Sequence, residues 1–409
     1  MSATPCRFCS APLEHTFCDL GRSPLSNSYL TAEQLKSREP IYPLHVYVCG
    51  SCYLVQIKEY ASPEHIFGDY AYFSSYSDTW LEHVRAYADM ARERFRLNDS
   101  SLVVELASND GYLLQHFGSA GVPVLGVEPA RNVAAVARER GVPTIAEFFG
   151  YAVASRLTAE GRSANLVIAN NVLAHVPDLN DFVSGIKKIL KPSGTVTLEF
   201  PHLLELIEQG EFDTIYHEHF SYFSFFCLEK VLAAHGLAAF DVEILTTHGG
   251  SLRVYCSHQE SGRIASPAVT SLRTRERAAG LHSLTAYAGL DTKARRVREQ
   301  LLAFLTDAKQ QKKTVVGYGA PAKGNTLLNF CGVGAELLQY TVDRSPHKQG
   351  RFLPGSHIPI HAPERILQTR PDYVLILPWN IKEEIVSQMR AIRDWGGRFV
   401  VPIPGLTVL

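Results

Sequence analysis

The stretch Leu102-Val103-Val104-Glu105-Leu106-Ala107-Ser108-Asn109-Asp110-Gly111 sets the tightest limit on how this chain can fold. Leu102 to Leu106 is a short apolar run with β-branched residues that ends at turn-forming ones, the pattern of a buried parallel strand. Tyr112 to Phe117 then has helical spacing, so Ser108 to Gly111 is a β-to-α turn. At such a turn backbone N–H groups point outward, and a carboxylate at the strand end can grip a ligand. The next apolar run, Val122 to Glu128, closes a βαβ unit and ends on an acidic residue. A carboxylate about 20 positions past the turn suits a pair of ribose hydroxyls. The expectation is an α/β fold with a nucleotide-type ligand at this edge.

What is missing narrows the ligand. The loop lacks the Gly-x-x-x-x-Gly-Lys-Ser/Thr that wraps a triphosphate and the Gly-x-Gly-x-x-Gly that admits a pyrophosphate. Glu105 would repel a phosphate and attract an amino-acid ammonium. A ligand with an adenosine end and a cationic amino-acid end fits, and S-adenosylmethionine is such a ligand. Glu105-Leu106-Ala107-Ser108-Asn109-Asp110-Gly111 resembles motif I of class I methyltransferases. Ala107 and Asn109 stand where glycines are common, which predicts a loop less tight than average.

At 409 residues the chain exceeds one core and predicts two or three domains. A net charge of -1 argues against a nucleic-acid clamp or an anionic-membrane binder. The N-terminal residues have neither a basic nor an apolar leader pattern, and no run approaches membrane-spanning length, so a cytoplasmic protein is expected. Five of eight cysteines fall at or before position 52. Cys6-x-x-Cys9 and Cys49-x-x-Cys52 are two knuckles able to give one tetrahedral zinc four thiolates, a closed and therefore structural site. Cys18, beside Phe17 and Leu20, reads as a packed thiol.

Further along, Phe67 to Tyr76 is dense in hydroxyls and aromatics, suited to a sugar or to packing between domains. Trp80 to Phe95 carries a helical apolar stripe. Phe148 and Phe149 follow a third strand where an adenine would need an apolar lid. Asn165 to Asn171 is a fourth strand, which puts Asn170, Asn171 and His175 at the carboxyl edge of the sheet, where ligands lie. Phe182 to Leu190 reads as a helix, Lys191 to Gly194 as a turn and Thr195 to Phe200 as a fifth strand. Tyr216-His217-Glu218-His219 with Tyr222 is the richest chemistry in the chain. Its two imidazoles are too close for the zinc helix His-Glu-x-x-His, but they suit acid–base work near neutrality. Leu237 to Thr246 and Ser251 to Ser257 read as a hairpin around His248-Gly249-Gly250. Ser266 to Val297 reads as a charged helical connector. A second α/β unit starts at Thr314, with Gly317-Tyr318-Gly319 and Lys323 at a helix start suited to phosphate, and Asp343 at the end of a later strand.

Taken together, these motifs resemble the S-adenosylmethionine-dependent C-methyltransferases of nucleotide-linked 4-keto deoxysugars, over the whole chain. The resemblance rests on the paired Cys-x-x-Cys, Glu-x-x-Ser-Asn-Asp-Gly, Tyr216-x-Glu218-His219, His248-Gly249-Gly250 and Gly317-Tyr318-Gly319-Ala320-x-Ala322-Lys323. It implies a zinc-binding domain at 1–73, a central class I Rossmann-like methyltransferase domain at 74–265, and connector helices with a Rossmann-like C-terminal α/β domain at 266–409. It implies His219 as general base, Tyr216 and Glu218 beside it, and Tyr70 and His175 facing the sugar. Tyr216 or His175 would stabilise an enolate oxygen, and Glu218 would orient the imidazole or contact the sugar. Glu105, Ala107, Asn109, Gly111, Glu128, Pro129, Phe148, Asn170 and Asn171 would line the cofactor. Tyr72, His248, Gly249, Tyr318, Lys323, Asp343, Lys348 and Arg351 would bind the nucleotide sugar, with thymidine diphosphate as the family habit, C3 as the commoner methylated carbon and C5 as the alternative, and a monomer as the working unit. The competing expectations are a zinc-ribbon RNA methyltransferase, which should be more basic, and a non-catalytic nucleotide-sugar binder, which has no use for Tyr216-x-Glu218-His219.

Overall fold

The structure, a computed structural model, describes residues 4–67 and 78–409. Tyr70 and Tyr72 lie outside the described residues. Three sheets organise the chain. The central one has seven strands in the order Leu237–Leu245, Ser251–His258, Leu190–Pro201, Ala164–Asn170, Val103–Leu106, Val124–Val127, Thr144–Ile145. Its last five strands run parallel and the hairpin closes it antiparallel. Val103, Val104 and Leu106 are 0% exposed, as a strand covered on both faces requires.

The chain reverses its strand order at Val103–Leu106, which pairs with Val124–Val127 on one side and Ala164–Asn170 on the other. That is the switch point where a doubly wound sheet opens a ligand crevice beyond its carboxyl ends. The strand expected to begin at Thr195 begins instead at Leu190, because Leu190 itself pairs with Ala164 before a register shift. The connector is two helices, Pro267–Ala278 and Leu290–Gln310. The long one buries Leu290, Ala294, Val297, Leu301, Leu305 and Ala308, a stripe three and four apart.

The C-terminal sheet has the order Ile360–His361, Thr341–Val342, Val315–Tyr318, Tyr373–Ile376, Arg398–Val401, Thr407–Val408, parallel except at its last strand. The N-terminal sheet is built from His15–Ser23, Tyr42–Val48 and Val55–Ile57, and its fourth strand is borrowed. Ser221–Tyr222, next to the Tyr216–His219 stretch, pairs antiparallel with Val55–Ile57. The N-terminal unit and the central sheet are thus joined through the segment that carries most of the chemistry.

Candidate active site

The loop after Val103–Leu106 takes left-handed backbone at three positions, Ala107 (φ 54°), Asn109 (φ 50°) and Gly111 (φ 78°). The expected loosening from the missing glycines does not occur. Ala107 N–H donates to Val127 O at 2.7 Å and pins the turn to the neighbouring strand, so side-chain-bearing residues are held in the glycine conformation. Gly111 has no alternative: a Cβ there would lie 2.9 Å from Val142 Cγ2. Glu128 accepts from the backbone N–H of Asn109 at 2.9 Å and of Ala130 at 2.8 Å, so this carboxylate shapes the loop as well as facing it. Burial raises its pKa to about 7.

Glu105 is 1% exposed, and its Oε2 has no hydrogen-bond partner among the described residues. Burial, with the Glu128 and Asp110 carboxylates nearby, holds its carboxyl well above the usual range. An ammonium beside it would reverse that. At the end of Ala164–Asn170 both polar atoms of the Asn170 side chain are buried without a partner among the described residues. Asn171 takes φ 52°, and its Nδ2 is 3.4 Å from His248 Nε2. Phe148 is 42% exposed at this edge, whereas Phe149 is packed edge-on against Phe182. A crevice with orphaned polar atoms, a raised carboxyl and one open aromatic ring is built to receive a polar ligand with an ammonium group.

Across the crevice, residues 212–222 are wedged between domains. His219 Nδ1–H donates to Thr214 O at 2.8 Å, so this tautomer leaves the lone pair on Nε2. The ring lies 4.0 Å from that of Tyr216, tilted 34° to it, and meets His175 edge-on at 4.7 Å. Burial and the neighbouring His175 keep its pKa well below the ordinary value, so the ring is neutral at pH 7. His175 and His248 are likewise pushed down to about 4, chiefly by burial. Glu218 does not orient this imidazole through its carboxylate. Both its oxygens accept from Asn27 Nδ2, at 2.7 and 2.8 Å, and Thr214 does the orienting. His217 reaches away to Pro43 O at 3.0 Å.

The C-terminal residues divide. Lys323 comes to the cleft floor, where it donates to Asn380 Oδ1 at 2.9 Å and sits 4.6 Å over the Trp379 ring. Burial lowers its pKa against the pull of Asp213 and Glu211. Lys348 and Asp343 serve the fold: Lys348 donates to Ala320 O at 2.9 Å, and Asp343 accepts from Ala320 N–H at 2.8 Å. A turn entering a helix leaves those backbone groups needing partners, and these side chains supply them. Tyr318 is 5% exposed with its hydroxyl toward Gln388, and Arg351 is exposed, 3.5 Å from Tyr29 O.

At the N-terminus the sulfurs of Cys6, Cys9, Cys49 and Cys52 all lie within 4.8 Å of one another, with Cys6–Cys52 at 3.6 Å and Cys9–Cys49 at 3.5 Å. Four thiolates about 2.3 Å from a tetrahedral zinc would be about 3.8 Å apart, so the set fits that ion. Gln56 Nε2–H donates to Cys6 Sγ at 3.1 Å, an outer-shell bond of the kind that steadies a ligand. Cys18 is 0% exposed and apart from this group.

Three family models cover the chain: a zinc binding domain at residues 6–67, a methyltransferase domain at 80–242 and a C-methyltransferase C-terminal domain at 246–404. A curated relative, C-methyltransferase NovU of Streptomyces niveus, is 38% identical over 399 residues, 98% of this chain and 95% of that one. The chain belongs to this C-methyltransferase family.

Among solved structures it is similar to magnesium protoporphyrin IX methyltransferase of Synechocystis, at 15% identity over 44% of this chain and 83% of that one, with a TM-score of 0.35. It is also similar to a Burkholderia thailandensis 1,6-didemethyltoxoflavin-N1-methyltransferase, at 16% identity over 44% and 81%, with a TM-score of 0.33.

As a C-methyltransferase the enzyme is dependent on S-adenosylmethionine, and the crevice at Glu105, Asn109, Glu128 and Asn170 fits that cofactor. No helix among the described residues is long and apolar enough to cross a membrane. Several side chains around the crevice were not foreseen from sequence. Trp80 stacks on His83 at 5.0 Å and approaches His248 at 5.5 Å and Tyr112 at 6.2 Å. His83 in turn meets Glu199, which is 0% exposed and also held by Arg253 at 2.7 Å. Thr214 and Asn27 carry no motif; only contacts distant in sequence give them a role.

Proposed function

We infer that the enzyme methylates C3, the carbon beside the ketone of a nucleotide-linked 4-keto deoxysugar, with thymidine diphosphate as the carrier, and that it does so through an enolate. A carbon flanking a ketone becomes nucleophilic once its proton is removed, which requires a base at that C–H and donors at the carbonyl oxygen. The single observation that carries this reading is the hydrogen bond from His219 Nδ1 to Thr214 O, because it fixes the tautomer whose Nε2 is unprotonated and able to accept a proton. His219 takes the proton, and the Thr214 carbonyl steadies the imidazolium that results. Tyr216 and His175, whose rings lie 4.0 and 4.7 Å from it, are the groups within reach of the enolate oxygen. Glu218, locked to Asn27, keeps the loop in place. When bound, S-adenosylmethionine supplies an electrophilic methyl group on a sulfonium; Glu105 would hold its ammonium and Glu128 its ribose hydroxyls. The zinc holds the Cys-x-x-Cys knuckles and takes no part in the chemistry.

The test is a panel of nucleotide-linked sugars, with and without a 4-ketone, incubated with enzyme and S-adenosylmethionine and read by mass spectrometry. A methylated product only from the 4-keto members, with the new carbon at C3 by NMR, is the expected result. Methylation at oxygen or nitrogen, or of sugars without the ketone, would refute the reading.

A further inference from the structure

Arg7 stands between Cys6 and Cys9 in the first knuckle, and the reaction as described gives it no task. Its half-buried guanidinium reaches two backbone carbonyls. Nη1–H donates to Pro177 O at 2.7 Å and Nη2–H to Ile57 O at 2.6 Å. The same group lies 5.3 Å from the centre of the Phe220 ring. A rigid planar fork can hold two carbonyls at a fixed separation, which the single ammonium of a lysine cannot.

These partners adjoin the two imidazoles of the proposed reaction. Pro177 is two residues past His175, beyond the short turn Leu173–His175. Phe220 follows His219 directly, and its carbonyl accepts from Ile57 N–H at 3.1 Å. Ile57 therefore grips Arg7 through its carbonyl and the His219 segment through its amide. The knuckle backbone is fixed in turn. Arg7 N–H donates to Gln56 Oε1 at 2.9 Å, and Asn180 Nδ2, on helix Leu179–Ile189, donates to Arg7 O at 3.3 Å and to Phe8 O at 3.0 Å. The rings of His175 and His219, 4.7 Å apart, thus sit on two stretches of chain that meet at one side chain of a third. Removing a proton while steadying the enolate needs both rings in register, and a misplacement of about 1 Å can cost on the order of a hundredfold in rate.

We propose that Arg7 is a positioning residue for methyl transfer: from its anchorage in the Cys6–Cys9 knuckle, its guanidinium clamps the segment that carries His175 to the one that carries His219 and so sets the spacing of the two imidazoles. This rests on the reading of His219 as the base. It adds that the knuckle reaches the reaction through a named side chain.

The test follows deuterium uptake by the 4-keto sugar nucleotide, and methyl transfer to it, on the full-length zinc-loaded enzyme. Arg7→Ala should lower the rate of uptake and kcat together by about tenfold to a hundredfold, while the sugar KM, S-adenosylmethionine affinity and zinc content stay within about twofold of wild type. Guanidinium ion added at millimolar concentration should restore part of the lost rate to Arg7→Ala and none to His219→Ala. Arg7→Lys, which can reach one carbonyl but not both, should fall between the alanine variant and wild type. If the alanine variant fails to retain zinc, the lysine variant decides: a zinc-loaded protein slowed by about threefold or more supports the clamp, and one at the wild-type rate overturns it. A rise in KM with kcat unchanged also overturns it, because that would make Arg7 a binding residue. His219→Ala separates the two claims. Uptake at the wild-type rate in that variant removes the base reading and the clamp with it, whereas lost uptake there beside an unimpaired Arg7→Ala removes the clamp alone.

Discussion

Ala107 carries a side chain at φ 54°, a backbone conformation that costs an L-residue about 1 kcal/mol relative to glycine. Ala107→Gly should therefore raise unfolding stability by about 1 kcal/mol in denaturant titration without weakening S-adenosylmethionine binding; a destabilised variant would contradict the strain argument. The sequence located this loop and its missing glycines, but it could not tell a loosened turn from a strained one, because the restraint is a bond from the neighbouring strand. The histidines allow a second test. His175 and His248 have folded pKa values near 4, below the ordinary value of about 6.5. The unfolded chain therefore binds more protons between those limits, so the stability due to their neutral burial is complete above pH 6.5 and declines as pH falls toward 4. Each should cost on the order of 3 kcal/mol by pH 4. Replacing His248 by Gln should flatten the acid limb of a stability profile; an unchanged limb would mean that His248 does not titrate with unfolding.

At the scale of elements, the borrowed strand Ser221–Tyr222 decides how the base is held. It pairs with Val55–Ile57, which follows directly on the Cys49 and Cys52 knuckle, and Ile57 N–H also donates to Phe220 O at 3.1 Å. On the proposed mechanism, zinc would act on catalysis by fixing the strand next to the His219 loop, while the crevice at Glu105 and Glu128 belongs to a different sheet. Removing zinc with a chelator, or Cys49→Ser, should abolish methyl transfer while S-adenosylmethionine binding by calorimetry persists within about threefold. Equal loss of both would place the zinc domain under the whole molecule. The knuckles were legible because ligand chemistry imposes a fixed local spacing. The Asn27–Glu218 bond was not, since the two residues are 191 positions apart and leave no local pattern.

Across the whole molecule one chain of hydrogen bonds ties the loop at 216–219 to the N-terminal and C-terminal units. Asn27 holds Glu218 of the base loop, and Tyr29, two residues on, donates to Ala320 O at 2.6 Å. Lys348 donates to that same carbonyl from the C-terminal unit. This is why Lys348, an apparent phosphate ligand by its place in a loop after Asp343, is buried at 8% exposure, while Lys323 reaches the cleft. Fold class followed from periodicity, because each Rossmann-like unit announces itself strand by strand. The cleft between units did not, because it is lined by residues from three separate stretches. The central claim is that His219 Nε2 removes a proton from the carbon beside the ketone, and proton exchange reads it most directly. A 4-keto sugar nucleotide incubated in deuterium oxide without S-adenosylmethionine should take up deuterium beside the ketone, and His219→Ala should slow that uptake by about a hundredfold or more. Exchange at the wild-type rate in that variant, with its fold and cofactor binding intact, would contradict the account.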